Sequence, residues 1–199
     1  MASDFPYKSI EELLSKTIAN TEPFEEYFNQ MKDTIKKGFL TPEELLDICR
    51  WKSPRTINKI ETDKDKIKIL TSKAFSIKCE DVISIRFEKV EGEKIDILDN
   101  IKGVGVPMAS AILTLTDPEN YGVIDIRVWQ VLFRLKKVDY DPEGQNFTKK
   151  HWTDFLKVIR NLSKEYKTRA RDVERVLFYS HYLLQVGNLY ETVKEEQEE

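Results

Sequence analysis

The sequence predicts an all-α fold of about ten helices, and three observations support that class. Apolar residues recur at i, i+3 and i+4 spacing along most of the 199-residue chain. Helix start signals of the form Ser/Thr-x-x-Glu precede two of these runs, at Ser9 and Thr41. No stretch alternates apolar and polar residues convincingly, and no period of about 20 to 50 residues recurs, which disfavours a sheet and a solenoid.

The N-terminal part of the chain is predicted to contain three helices. The first runs over 10–19, the second begins near Pro23 and ends at Gly38, and the third extends from Thr41 to Trp51. The large apolar residues of the second helix share one face, which is typical of a buried core. They are Phe24, Tyr27, Phe28, Met31 and Ile35.

A break after Trp51 separates these helices from the next segments. The break, residues 52–55, either lines a base pocket or clamps a phosphate, or it is a surface loop beside a buried Trp51. A helix is predicted over 63–78. A continuation over 79–89 is also predicted to be helical, although several of its residues favour strands, and Gly92 is expected to interrupt the chain.

Two short helices joined by a glycine turn form the centre of the sequence. The first is predicted over 94–100, and the second begins at Val106, where Pro107 suits the first helical turn. Between them lies Gly103-Val104-Gly105, in which glycine permits a positive φ or a close backbone approach. The unpaired N–H groups after Gly105 favour an anion such as a nucleic-acid phosphate, although a plain helix–turn–helix shows the same pattern.

Asp125 is a single carboxylate among apolar residues at a predicted helix start. It is either an N-cap that stabilises the helix by about 1 kcal/mol, or a partly desolvated carboxylate that faces the same cleft as the glycine turn. Trp129 follows four residues later on the same helix face, where it either raises the pKa of Asp125 by desolvation or belongs to the core.

The C-terminal part is predicted to contain a polar loop over 140–146, a helix capped by Thr148, and a last long helix from Thr168 to Gly187. His181 falls in the last helix, either as a hydrogen-bonded core histidine or in a catalytic role. Residues 191–199 are acidic and predicted to be disordered.

Charge is distributed unevenly along the chain, whose net charge is −3. Residues 148–175 carry nine Lys and Arg against four Asp and Glu, a net +5, whereas 191–199 carry five Glu against one Lys, a net −4. This separation either presents a basic face to a nucleic acid or reflects solvated helix faces.

The composition also argues against a membrane span, a signal peptide, a disulfide framework and a zinc site. No apolar run approaches the roughly 18 residues of a membrane span, and the N-terminus lacks the pattern of a signal peptide. The two cysteines, Cys49 and Cys79, are far apart and give neither a disulfide framework nor a zinc site. We therefore expect a cytoplasmic monomer with no membrane partner and no bound metal.

The central stretch resembles a known enzyme superfamily. Residues 98–113 read L-x-x-I-x-G-V-G-x-x-x-A-x-x-I-L, and V-I-D-I-R-V follows about ten residues later. This pattern is similar to that of the helix-hairpin-helix DNA glycosylases, and the motif covers about 35 residues. The resemblance places Gly103, Val104 and Gly105 at the phosphate-binding hairpin and Asp125 at the catalytic aspartate. It also implies a monovalent cation held by turn carbonyls.

The sequence departs from the family pattern at several positions. Bifunctional members carry a lysine nucleophile where this chain has Pro107, which cannot form a Schiff base. A histidine and an arginine often found after the aspartate are Arg127 and Gln130 here, and the four cysteines of the iron–sulfur branch are absent from the sequence. The resemblance therefore implies a monofunctional enzyme without an iron–sulfur cluster.

The resemblance implies two helical lobes with Asp125 at the cleft between them. One lobe spans 39–118 and ends in the hairpin, and the other combines 1–38 with 119–190. The implied activity is removal of a damaged or mispaired base from DNA, with Arg127 and the basic segment contacting phosphates. Candidate residues for the base pocket are Trp51, Arg55, Trp129 and His181.

Two other functions are compatible with the same sequence. One is a non-catalytic DNA-binding module of the same fold, in which Asp125 is only a helix cap. The other is an interaction protein that binds a partner through its acidic tail or its aromatic N-terminal helices. Salt-dependent DNA binding separates the two, because only the first requires it.

Overall fold

A computed structural model describes Glu12 and residues 32–184, and within this part of the chain every regular element is helical. The all-α prediction is therefore confirmed. The α-helices are α1 (Lys32–Lys37), α2 (Pro42–Lys52), α3 (Lys64–Ser76), α4 (Phe87–Asp99), α5 (Val106–Thr116), α6 (Ile126–Arg134), α7 (Lys149–Tyr166) and α8 (Ala170–Leu184), and a 3-10 helix covers Pro54–Lys59.

Several predicted helix ends are confirmed. Thr41 forms a complete capping box with Glu44 at the start of α2, and Thr148 caps α7. Gly38 follows α1 with a φ of +76°, a conformation that glycine adopts readily. The predicted helix over 10–19, most of the second helix, the end near Gly187 and the tail over 191–199 lie outside the described residues.

The prediction of a helix over 79–89 is wrong for 79–86. Residues 77–86 form turns, bends and irregular structure, and α4 begins only at Phe87. Ile83 and Ile85 are 90% and 101% exposed there, so no core contact stabilises a helix through them. The strand-favouring side chains of this segment also lower its intrinsic helix propensity.

Gly92 does not interrupt the chain, because it lies inside α4. A Cβ at Gly92 would stand 2.6 Å from the Cδ of Lys149 on α7. The side chain of Lys149 therefore lies across the glycine, in the space that a Cβ would occupy, although glycine is a poor helix former. The first helix of the central pair consequently starts at Phe87 rather than near Lys94.

The core centres on α5, whose residues 108–115 are all buried. A helix that is apolar on all sides belongs in a protein interior. Helix α5 packs against α2 and α4. Helix α4 also packs against α3 and α7, and α8 packs against α6 and α7. The buried side chains form one continuous hydrophobic cluster that includes Trp129 and Trp152.

Candidate functional site

The turn between α4 and α5 is held by the chain that follows the 3-10 helix. Gly103 has a φ of +86°, and a Cβ there would lie 2.6 Å from the carbonyl oxygen of Lys59. The N–H of Glu61 donates a 2.8 Å hydrogen bond to the carbonyl of Lys102. Both the left-handed conformation and the close backbone contact therefore require glycine at Gly103.

Gly105 occupies a different environment. It is the N-cap of α5 in an extended conformation and makes no side-chain cap. No atom lies within 4 Å of the position that a Cβ would take, so packing within the described residues does not require glycine here. The missing side chain leaves the N–H groups of Gly105 and Val106 open to approach by an anion, whereas Pro107 has no N–H and the N–H of Met108 donates a 2.9 Å hydrogen bond to the carbonyl of Gly105.

Asp125 is the N-cap of α6, and it is also one half of an ion pair. Its Oδ1 accepts a 3.0 Å hydrogen bond from the N–H of Arg127. Its Oδ2 accepts a 2.7 Å hydrogen bond from the ammonium of Lys52, and the Arg127 guanidinium lies 3.9 Å from the carboxylate. Capping and ion pairing are thus combined in one side chain.

The carboxylate of Asp125 remains ionised although it is largely buried. The Asp125 and Lys52 side chains are only 17% and 15% exposed. Burial by itself raises the pKa of Asp125, but the charge and hydrogen bond of Lys52 outweigh it, with help from Arg127. The net result is a pKa below the ordinary value of an aspartate, so the carboxylate is charged at neutral pH.

Lys52 reaches Asp125 because α2 extends through Lys52 and packs on α5. Lys52 was predicted to lie in a loop, without a connection to Asp125. The helical periodicity of α2 was visible only to Trp51, and a pairing across 73 positions leaves no local signal. Proline occupies position 107, where the family resemblance implies a lysine in bifunctional members. The amine that lies beside the carboxylate of Asp125 is instead that of Lys52.

Residues 117–125 form the loop that ends at Asp125, and α8 holds this loop in place. The carboxylate of Glu174 accepts a 3.3 Å hydrogen bond from the N–H of Val123 and pairs with Arg171. A Cβ at Gly122 would stand 2.8 Å from the Cβ of Glu174. The N–H of Ile124 donates a 3.1 Å bond to the hydroxyl of Ser110, so the loop is fixed on two sides.

Trp129 faces the core rather than Asp125. Its side chain is fully buried, and its Nε1–H donates a 2.8 Å hydrogen bond to the carbonyl of Asp141. Tyr140, Phe147 and His151 pack around its ring. These contacts support the core interpretation of Trp129.

The other predicted pocket residues differ in their relation to Asp125. Trp51 lies under the guanidinium of Arg171, 5.3 Å from the ring centre. Arg55 is exposed on the 3-10 helix just after Lys52. The Arg127 guanidinium lies 5.4 Å from the ring centre of Phe178 on α8, so it spans the space between α6 and α8.

His181 is buried beside this group. One ring nitrogen, Nε2, lies 2.8 Å from Oε1 of Gln130, while the other, Nδ1, is buried without a hydrogen-bond partner. Burial, and then the charges of Arg134 and Arg127, lower the pKa of His181 to about 4. The imidazole is therefore neutral at physiological pH, and the core interpretation accounts for its contacts.

Two groups of ion pairs hold the carboxylates of this region. Asp125 pairs with Lys52 and lies 3.9 Å from the guanidinium of Arg127. At the start of α8, Arg171 pairs with Glu174, while Arg169 and Arg175 pair with Asp172. Lys52 and Arg127 thus place two cations beside the N-terminus of α6, an arrangement that suits a phosphate-bearing ligand.

The lysines of α7 contribute less to a basic face than their number indicates. Three of them pair with carboxylates outside α7, in the pairs Lys149–Asp96, Lys157–Glu88 and Lys164–Asp81. Lys150 pairs with Asp154 within α7. The arginines at 169–175 pair with Asp172 and Glu174 of α8. The interpretation as solvated, paired helix faces therefore accounts for the lysines of α7.

No group of three or more His, Cys, Asp and Glu side chains suited to a metal occurs in the described ranges, Glu12 and 32–184. Within the same ranges, no helix is long and apolar enough to cross a membrane. Comparisons of the chain with protein-family models, curated proteins and solved structures give no match.

Proposed function

We propose that the protein is a monofunctional DNA N-glycosylase that removes a damaged or mispaired base, with Asp125 as the catalytic carboxylate. The observation that carries the proposal is an ionised, mostly buried carboxylate at a helix N-terminus, held by the cations of Lys52 and Arg127. The glycine turn after α4 supports it through the open N-terminus of α5 at Gly105. In this proposal the two predicted lobes meet at the cleft that holds Asp125.

The turn and the cations bind DNA without reading its sequence. The N–H groups of Gly105 and Val106 contact one phosphate, and Arg127 contacts another, which positions the duplex. The target nucleotide rotates out of the base stack, at a cost of a few kcal/mol that is smallest for a damaged or mispaired base. This difference in cost contributes to selection of the substrate.

Asp125 then acts on the sugar of the flipped nucleotide. The N-glycosidic bond breaks, its electron pair leaves with the base, and positive charge develops on the sugar. The charged carboxylate stabilises that state, and water adds to C1′ while its proton passes to Asp125. Lys52 holds the carboxylate ionised before the reaction, and Pro107 provides no amine for a lyase step.

A non-catalytic DNA-binding module remains the second candidate, and a specific observation favours it. Asp125 caps α6 and pairs with Lys52, and these two structural roles explain an aspartate at this position without catalysis. Such a module would bind DNA with the same dependence on salt but release no base.

The direct test is a strand-cleavage assay on duplexes that carry a panel of damaged or mispaired bases, each analysed with and without hot alkali. Cleavage that appears only after alkali supports the proposal and identifies the substrate. Cleavage without alkali would contradict the monofunctional assignment and direct attention to Lys52, the amine 2.7 Å from Asp125. Salt-dependent binding with no base release would favour the non-catalytic module.

A further inference from the structure

Ser110 of α5 is a fully buried residue whose hydroxyl contacts two parts of the candidate site. The hydroxyl donates a 2.8 Å hydrogen bond to the carbonyl of Pro107, in the first turn of α5. It also accepts a 3.1 Å hydrogen bond from the N–H of Ile124, in the loop that ends at Asp125. A single oxygen atom therefore joins the start of α5 to the residue that precedes Asp125.

The two hydrogen bonds define the orientation of the Ser110 hydroxyl. A serine hydroxyl has one O–H donor, and here it bonds the carbonyl three residues earlier, as serine side chains often do within helices. A lone pair of the same oxygen then accepts the N–H of Ile124. Because Ile124 is also fully buried, its N–H needs a partner inside the protein, and Ser110 supplies it.

The start of α5 is the phosphate-binding end of the proposed site. Gly105 is exposed there, and the N–H groups of Gly105 and Val106 are open to an anion. The rest of the helix is held firmly, because residues 108–115 are all buried. A phosphate bound at this end would therefore lie at a fixed position relative to Ser110, which is part of the same helix.

The hydrogen bond from Ile124 lies close to Asp125 along the chain. Ile124 directly precedes Asp125, and consecutive Cα atoms are about 3.8 Å apart, so a shift of one residue moves the other. Glu174 holds the neighbouring N–H, that of Val123, from the side of α8. Ser110 holds the loop from the side of α5. Precise placement matters in catalysis, because a displacement of about 1 Å can lower a rate about 100-fold.

We propose that Ser110 is a positioning residue that sets the distance between a phosphate bound at the start of α5 and the carboxylate of Asp125. The inference rests on the proposed function, because it assigns Ser110 a role in the same site. Ser110 acts through Pro107 and Ile124 rather than by contact with DNA. Without its hydroxyl the N–H of Ile124 is buried and unpaired, so the loop shifts to satisfy it while the phosphate stays bound.

A matched pair of variants separates this role from the general effect of losing a buried hydroxyl. Ser110→Ala removes the acceptor of the Ile124 N–H. Thr114→Val is the control, because Thr114 lies one turn later on α5 and is equally buried, but its hydroxyl donates to the carbonyl of Ser110 within the helix. Ser110→Thr keeps a hydroxyl that can bond the carbonyl three residues earlier, so it tests rescue.

NMR spectroscopy of the full chain without DNA tests the positioning independently of any activity. In Ser110→Ala we expect the amide of Ile124 to exchange with solvent about tenfold faster or more, and the pKa of Asp125 to rise toward its ordinary value as its contact with Lys52 loosens. Thr114→Val should change neither property. A Ser110→Ala protein in which the carboxyl carbon of Asp125 titrates as in wild type would overturn the inference.

Single-turnover kinetics on the substrate that the base panel identifies then separates chemistry from binding. Ser110→Ala should lower the rate of base release about tenfold or more and change the Kd for the duplex by less than about twofold, and Ser110→Thr should recover most of the rate. Equal rate losses for Ser110→Ala and Thr114→Val would overturn the inference. If wild type releases no base while both NMR changes occur, the proposed function fails but the positioning of Asp125 by Ser110 is supported.

Discussion

Replacing Lys52 by methionine tests whether the ion pair holds Asp125 ionised. Two unit charges 2.7 Å apart attract by about 6 kcal/mol at an effective dielectric constant near 20. Desolvation of both groups offsets part of that attraction, and Asp125 keeps its hydrogen bond from the Arg127 N–H. Removal of one partner from a buried pair usually costs about 3 to 5 kcal/mol, so we expect a loss of about 2 to 4 kcal/mol at pH 7.

The pH dependence of that loss identifies its cause. The folded-state pKa of Asp125 is depressed, so its contribution to stability is complete above the unfolded pKa of about 3.9 and disappears as pH falls through the folded pKa. Lys52→Met removes this contribution only where Asp125 is charged. The difference in the free energy of unfolding between the variant and wild type should therefore be full at pH 7 and shrink as pH falls below about 4.

The assay is urea unfolding of both proteins at several pH values, with Lys149→Met as the control. Lys149 pairs with Asp96 at a similar distance of 2.6 Å, but both side chains are more than half exposed. We expect this control to lose less than about 1 kcal/mol. A loss for Lys52→Met that equals the control, or that does not change with pH, would refute the reasoning.

Two further predictions concern the loop and the helix that surround Asp125. Gly122→Ala places a Cβ 2.8 Å from the Cβ of Glu174 and should lower the free energy of unfolding, measured in urea, by about 1 to 3 kcal/mol. Gly105→Ala meets no atom within 4 Å and should change the free energy of unfolding by less than about 0.5 kcal/mol. Equal effects of the two variants would contradict the packing of Glu174 against the loop. Because the pKa of His181 is lowered to about 4, the unfolded chain binds this proton between pH 6.5 and 4 while the folded chain does not, so wild type should lose stability as pH falls through that window. His181→Gln should reduce this loss, and an unchanged slope of the free energy of unfolding against pH would contradict the neutral imidazole.

Local patterns predicted the helices well where the signals were strong. Thr41 and Thr148 begin helices because their side chains satisfy N–H groups within the same turn, which short-range sequence records. The segment 77–86 was predicted wrongly because exposed Ile83 and Ile85 resemble a buried face in sequence alone. Gly92 was taken for a break because its contact with Lys149 is a tertiary one.

The candidate site was predicted only in part. Asp125 and the glycine turn were recognisable because each combines a residue type with a local motif. Lys52 and Glu174 were missed because they reach the loop from α2 and α8, at sequence separations of 73 and 51 positions from their partners. No periodicity encodes such contacts, so the ionised state of Asp125 depends on information that only the fold supplies.

The measurement that tests the central claim most directly is the single-turnover rate of alkali-labile site formation by Asp125→Asn, on whichever substrate the panel identifies. Asparagine caps a helix as well as aspartate does, so α6 should stay intact while the charge is lost. We expect the rate to fall by a factor of about 100 or more, with DNA binding unchanged or tighter, and Asp96→Asn to behave as wild type. An Asp125→Asn protein that forms such sites at the wild-type rate would contradict the assignment of Asp125 as the catalytic carboxylate.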